Sequence, residues 1–147
     1  MDAIYREECE LQVIVEKFEG CHFKIEEFTH TQHLTVAVWY LLHWDACEAL
    51  VRMRTSLQRF IEHYGRQGYN ETITRFWMEL IRNYLDEIAE DVSRADTVNR
   101  VIARFGSKDI LFEYYTRKRV TSETAKREWV EPDLKCISAN RAATQQA

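Results

Sequence analysis

The feature that most constrains this chain is how rarely it can break a helix. Four glycines and one proline stand in 147 residues. So few breakers over this length favour long helices and argue against a strand-and-turn architecture. The glycines fall at Gly20, Gly65, Gly68 and Gly106, and the proline at Pro132. They cut the chain into segments, and the periodicity within the segments is helical.

The first segment predicts a helix from Ala3 to Phe18, although Leu11-Gln12-Val13-Ile14-Val15 carries strand-like β-branched content. Gly20-Cys21-His22 reads as the following turn. A second helix is expected from Ile25 to His43, with the apolar stripe Leu34, Ala37, Leu41 and Trp44. Asp45 with Glu48 three residues later looks like a capping box. It opens a third helix, in which Ala46, Ala49, Leu50, Met53, Leu57, Phe60, Ile61 and Tyr64 keep amphipathic spacing up to Gly65-Arg66-Gln67-Gly68. A fourth starts at Asn70 or Glu71, with Thr74, Met78, Ile81, Leu85 and Ile88 on one face. After a polar break over Asp91 to Asp96 comes a shorter helix, Val98, Val101, Ile102 and Phe105, closed by Gly106. Asp109 is placed to cap another from Ile110 to Thr116. Glu123 to Trp129 suits a turn or two of helix, and Val130 to Leu134 should be extended, because Pro132 disfavours helix in the residue before it. The expectation is an all-α, single-domain, up-and-down bundle of about five or six helices over residues 1–135, with a flexible tail over 136–147.

Charge and composition exclude several classes. Hydrophobic residues make up 46% and charged ones 30%, a globular balance. The formal net charge is −4, without the basic field of a nucleic-acid binder, and Arg117-Lys118-Arg119 is too short to supply one. No apolar run reaches the roughly 18 residues of a membrane span. Cys9, Cys21, Cys47 and Cys136 form no CxxC pair. That spacing suits reduced thiols, and a cytoplasmic location is expected.

The chemistry-bearing residues lie at the helix starts. His30 and His33 are three apart and share the apolar face of the second helix. Short connections make successive helices antiparallel neighbours, so the starts of the second and fourth helices share one end. That places the pair near Tyr64, Tyr69, Asn70, Glu71 and Thr74. Two imidazoles and a carboxylate, His30, His33 and Glu71, are a three-ligand set for zinc or iron. Alternatively, one histidine acts as general acid or base, oriented by Glu71. The helix N-termini would also favour a small polar or anionic ligand. Structural readings stand beside these: a capping or hydrogen-bonding His30, dipole complementation by Glu71, and an ordinary N-cap at Asn70.

Three motifs resemble those of an uncharacterised family of small all-helical bacterial proteins. They are Phe28-x-His30-x-x-His33-Leu34 with Tyr40-Leu41, Tyr69-x-Glu71-Thr72-Ile73-Thr74 with Trp77, and Tyr114-Tyr115 followed by Ala125-x-x-x-Trp129-Val130-Glu131-Pro132-Asp133-Leu134. The resemblance implies a helical domain and no particular activity. It also implies a histidine before the glutamate of the second motif, where this chain has Asn70. Asparagine keeps an N-cap but binds transition metals poorly.

The functional expectation is a polar pocket at the end of the bundle. It would bind a metal ion or small polar ligand through His30, His33 and Glu71, supported by Tyr69, Asn70 and Thr74. The competing expectation is a non-catalytic, self-associating interaction module, with the segment from Trp129 to Leu134 clamping a groove. An enzyme of natural-product or cofactor metabolism is a third.

Overall fold

The computed structural model describes residues 3–137; the greater part of the expected tail, 138–147, lies outside them. The described residues form helices joined by turns, with no strand. α1 spans Glu8–Glu19, α2 His30–His43, α3 Ala46–His63, α4 Glu71–Leu85 and α5 Arg94–Phe105. Three short helices follow: α6 Leu111–Tyr114, α7 Arg117–Val120 and α8 Glu123–Arg127.

The helix starts are set by side chains that satisfy orphan backbone N–H groups. Asp45 accepts from the Glu48 amide at 2.8 Å, Asn70 from Ile73 at 2.9 Å, and Ser93 from Asp96 at 3.1 Å. The Ser93 cap starts α5 at Arg94, inside the stretch expected to be a polar break. Between α3 and α4 the chain reverses through Gly65 and Gly68, at φ +64° and +128°. L-residues rarely adopt these values, so glycine is needed at both.

Two starts differ from the sequence reading. α1 begins at Glu8, because residues before it are held elsewhere: the Asn99 side chain accepts from the amides of Ile4 and Tyr5 and donates to the Tyr5 carbonyl. α2 begins at His30, with only a short 3-10 turn at Ile25–Glu27 upstream. Gln32 accepts from the Thr29 amide at 3.1 Å and closes that start.

α2 is the central helix. It packs against α1, α3, α4 and α5, and its Leu34, Thr35, Val36, Ala37, Val38 and Tyr40 are all buried. The single stripe expected for it is therefore too narrow: a helix surrounded by others is apolar nearly all round. Its buried hydroxyls are paired, Thr35 with Tyr5 at 3.0 Å and Tyr40 with Ser56 at 3.1 Å. Phe18, Phe28 and Phe60 form an aromatic block at the α1–α3 side, Phe18 and Phe28 stacked at 4.3 Å between ring centres. Each such buried ring contributes roughly 1.5–3 kcal/mol from its area alone.

The chain after α5 does not continue as one helix from Ile110 to Thr116. Ser107, not Asp109, caps a 3-10 turn at Lys108–Ile110. α6 then ends where Tyr115 turns extended, at φ −129° and ψ 139°. Tyr115 is fully buried, and its hydroxyl donates to the Val130 carbonyl at 2.6 Å. Val130 to Pro132 is neither helix nor turn, a bend follows at Asp133 and Leu134, and the segment lies on its own chain. Thr72 on α4 donates to the Glu128 carbonyl and accepts from the Val130 amide, while Asp133 accepts from the Thr116 amide and hydroxyl. Arg75 lies over the Trp129 ring at 4.7 Å. Those contacts seat the segment against α4 and α7. Among the described residues no helix is long and apolar enough to cross a membrane.

Candidate functional site

A cavity of about 540 Å³ lies between the first turn of α2, the middle of α3, the face of α4 and the segment that follows α5. That is within the size range of small-molecule sites. Its walls are largely apolar, with Leu34 and Ala37 from α2, Met53 and Leu57 from α3, Trp77, Met78 and Ile81 from α4, and Leu111 and Phe112 from α6. Its polar groups gather at one end: Thr29, His30, His33, Thr74, Lys108 and Asp109.

The backbone explains why the two histidines reach this space. They occupy the first turn of α2, one turn apart, on the side facing α4 and the chain after Phe105. His30 Nε2 lies 2.8 Å from the Phe105 carbonyl oxygen. A carbonyl only accepts, so Nε2 carries the proton and Nδ1 is left as a bare acceptor in the neutral ring. The His30 ring also meets Trp77 edge-on, 4.7 Å between centres. Burial holds its pKa below the ordinary histidine value, against the opposing pull of the Phe105 carbonyl, and Lys108 lowers it further.

His33 is the less satisfied of the pair. Its ring packs on Phe28 at 4.2 Å. No described residue hydrogen-bonds to either of its nitrogens. No fully buried side-chain nitrogen or oxygen among the described residues lacks a partner, so the nitrogens of His33 keep their access through the cavity. The residue is half-buried, with protein around most of the ring. Burial pushes its pKa down to about 4, helped by the neighbouring His30 and Lys108. At neutral pH the imidazole is uncharged, with one donor and one acceptor.

Of the residues expected to join the histidines, only Thr74 lines the same cavity. Its hydroxyl donates to the Asn70 carbonyl at 3.0 Å. Glu71 faces elsewhere. Arg54 grips its carboxylate with both ends of the guanidinium fork, Nε to Oε1 at 2.8 Å and Nη2 to Oε2 at 2.6 Å, and the Tyr69 hydroxyl donates to Oε1 at 2.7 Å. Burial alone would raise the Glu71 pKa, but Arg54 and Tyr69 outweigh it and hold the carboxyl below its usual range. Tyr69 is displaced upward, first by burial and then by Glu71. Asn70 caps α4 and donates from Nδ2 to the Val120 carbonyl at 2.8 Å, joining α4 to the end of α7.

The set His30, His33 and Glu71 is therefore not assembled as a ligand shell. Among the described residues no group of three or more His, Cys, Asp or Glu is arranged to hold a metal ion. The reason is local: a bidentate arginine at 2.6–2.8 Å already satisfies the carboxylate. Tyr69 and Glu71 act with Arg54 as an α3–α4 clasp. Replacing Glu71 by Ala should cost about 2 kcal/mol, the range for charge-assisted hydrogen bonds on a largely buried acceptor. Urea unfolding of that variant checks it, and an unchanged midpoint would show that the clasp contributes nothing.

Lys108 and Asp109 were not among the expected site residues, nor were Trp77 and Phe112. All four come to the histidines only through tertiary folding. The Gly106 break and the cap read at Asp109 were the signals in that region, and they mark a turn without saying where the turn lands. The first motif lines the cavity through Phe28, His30, His33 and Leu34, and the second through Ile73, Thr74 and Trp77. The second also binds the third, through Thr72 with Glu128 and Val130. No protein-family model, curated protein or solved structure matches the chain.

Proposed function

We propose that this protein binds a small organic molecule in the cavity between α2, α3, α4 and α6. The observation that carries the reading is His33: a half-buried, neutral imidazole with no hydrogen-bond partner among the described residues, facing a space of about 540 Å³. Buried polar groups left unpaired are costly, and a ligand hydrogen-bonding group offsets that cost. Thr74 and His30 line the same space. The apolar walls around Met53, Leu57 and Ile81 suit the body of the same molecule. A neutral imidazole in such a place is also equipped for proton transfer, so binding and acid–base chemistry share one site.

The test uses N-phenyl-1-naphthylamine, an uncharged probe whose fluorescence rises in apolar surroundings. Wild-type protein should bind it with saturable enhancement. The graded series Ala37→Val and Ala37→Phe, which fills the α2 wall, should weaken binding stepwise while thermal melting reports that the fold persists. Saturable binding that ignores both substitutions would place the probe elsewhere and count against the reading. So would no binding by a folded wild type.

A further inference from the structure

We propose that the ligand is an amphipathic organic anion, a small carboxylate with an aliphatic or aromatic body, its carboxylate at the Lys108–His33 end of the cavity. This rests on the reading of the cavity as a ligand site and names the chemical class that the site selects. Three observations carry it. First, polar and apolar groups are segregated. The polar lining is Thr29, His30 and His33 at the start of α2, Thr74 in the first turn of α4, and Lys108 and Asp109 from the turn after α5; the remaining walls are hydrocarbon and aromatic. A molecule polar throughout would leave those walls unmatched, and a wholly apolar one would strand the imidazole.

Second, the local charge is positive. Lys108 makes no ion pair with a described residue, and its charge reaches both imidazoles, lowering the proton affinity of each. Asp109 also borders the cavity. Arg117 adds a second cation near this rim, 4.4 Å over the ring of Phe112, which itself lines the cavity. Third, the donors are suitably disposed. His33 offers one N–H from the wall, and the start of α2 directs the positive end of its dipole to the same place. A carboxylate has two oxygens, so one can meet the ammonium and the other the imidazole.

The experiment compares three ligands with one body and different heads: octanoate, octan-1-ol and octylamine, titrated calorimetrically at neutral pH and low salt. Lys108→Gln is run in parallel; the side chain is exposed, so the fold is not at stake. Wild type should bind octanoate about tenfold more tightly than octanol, the factor that one charge-assisted contact supplies. Lys108→Gln should bring the two within about threefold of each other and leave octanol unchanged. Equal binding of octanoate and octanol by wild type would overturn the head-group assignment and leave the cavity reading standing. Preference for octylamine would overturn it in favour of Asp109. If none of the three binds and the neutral naphthylamine probe also fails, the cavity reading itself falls, and the anion proposal with it.

Discussion

Acidifying the protein from pH 7 to pH 4.5 should destabilise it by about 2 kcal/mol through His33 alone. The sign follows from linkage. Burial holds the folded pKa of His33 at about 4, whereas in the unfolded chain it returns to about 6.5. Between those values the unfolded state binds the proton and the folded state does not. Stability is therefore present above the unfolded pKa and lost as the pH falls toward the folded one. His30 acts in the same direction, since burial also lowers its pKa. Carboxylates such as Glu71, held low by Arg54 and Tyr69, lose their contribution only below the ordinary carboxylate range. The window between pH 6.5 and pH 4.5 thus belongs to the histidines. Urea unfolding at several pH values, on wild type and His33→Leu, isolates the difference. The variant's curve should be flatter across that window by the stated amount. Parallel curves would mean that His33 is charged or solvated in the folded state, and the half-buried neutral imidazole at the centre of the functional proposal would go with it.

The second large effect concerns the seam between α4 and the last third of the domain. Phe76 is fully buried, and its ring meets Tyr114 at 5.0 Å, Tyr115 at 5.9 Å and Trp77 at 5.1 Å. Truncation to alanine removes the transfer energy of the ring and leaves a void that rigid neighbours on three sides cannot close. Phe76→Ala should cost about 4 kcal/mol. The measure is a lowered urea midpoint with an unchanged slope, which reports stability rather than compactness. A loss below about 1 kcal/mol would show that the seam relaxes around the missing ring, well outside the usual range for such truncations. Tyr115 bridges from this seam to Val130, and Trp77 bridges to His30. α4 therefore holds the C-terminal segment through Thr72 and Arg75 and sets one wall of the cavity through Ile73, Thr74 and Trp77.

Periodicity was legible wherever a helix shows one face to the core. α3 follows the expected stripe from Ala49 to Phe60; α4 follows its stripe from Thr74 to Ile81 but also buries Thr72, Phe76 and Leu80 on its opposite side, which the stripe did not show. It failed for α2, where burial on several sides hides a stripe. Caps were legible when the capping residue preceded a strong apolar run, as at Asp45 and Asn70. Ser93 and Ser107 were missed because acidic neighbours offered competing signals. The site was half legible. The i, i+3 spacing put His30 and His33 on one face, and antiparallel succession brought Thr74 to them. Glu71 was read onto the same inward face, yet Arg54, 17 positions earlier in the chain, takes its carboxylate.

The sequence by itself determined the all-helical class, the reversal at Gly65 and Gly68 and the end of helix before Pro132, because each rests on short-range backbone preference and periodicity. It also determined that His30 and His33 share one face, since one helical turn joins them. Tertiary structure alone decided what surrounds the pair. It brought Lys108 and Phe112 to the cavity that the imidazoles line, turned Glu71 toward Arg54 and left His33 without a hydrogen-bond partner among the described residues. Those outcomes depend on which long-range contacts satisfy each buried polar group, and spacing along the chain does not encode that choice.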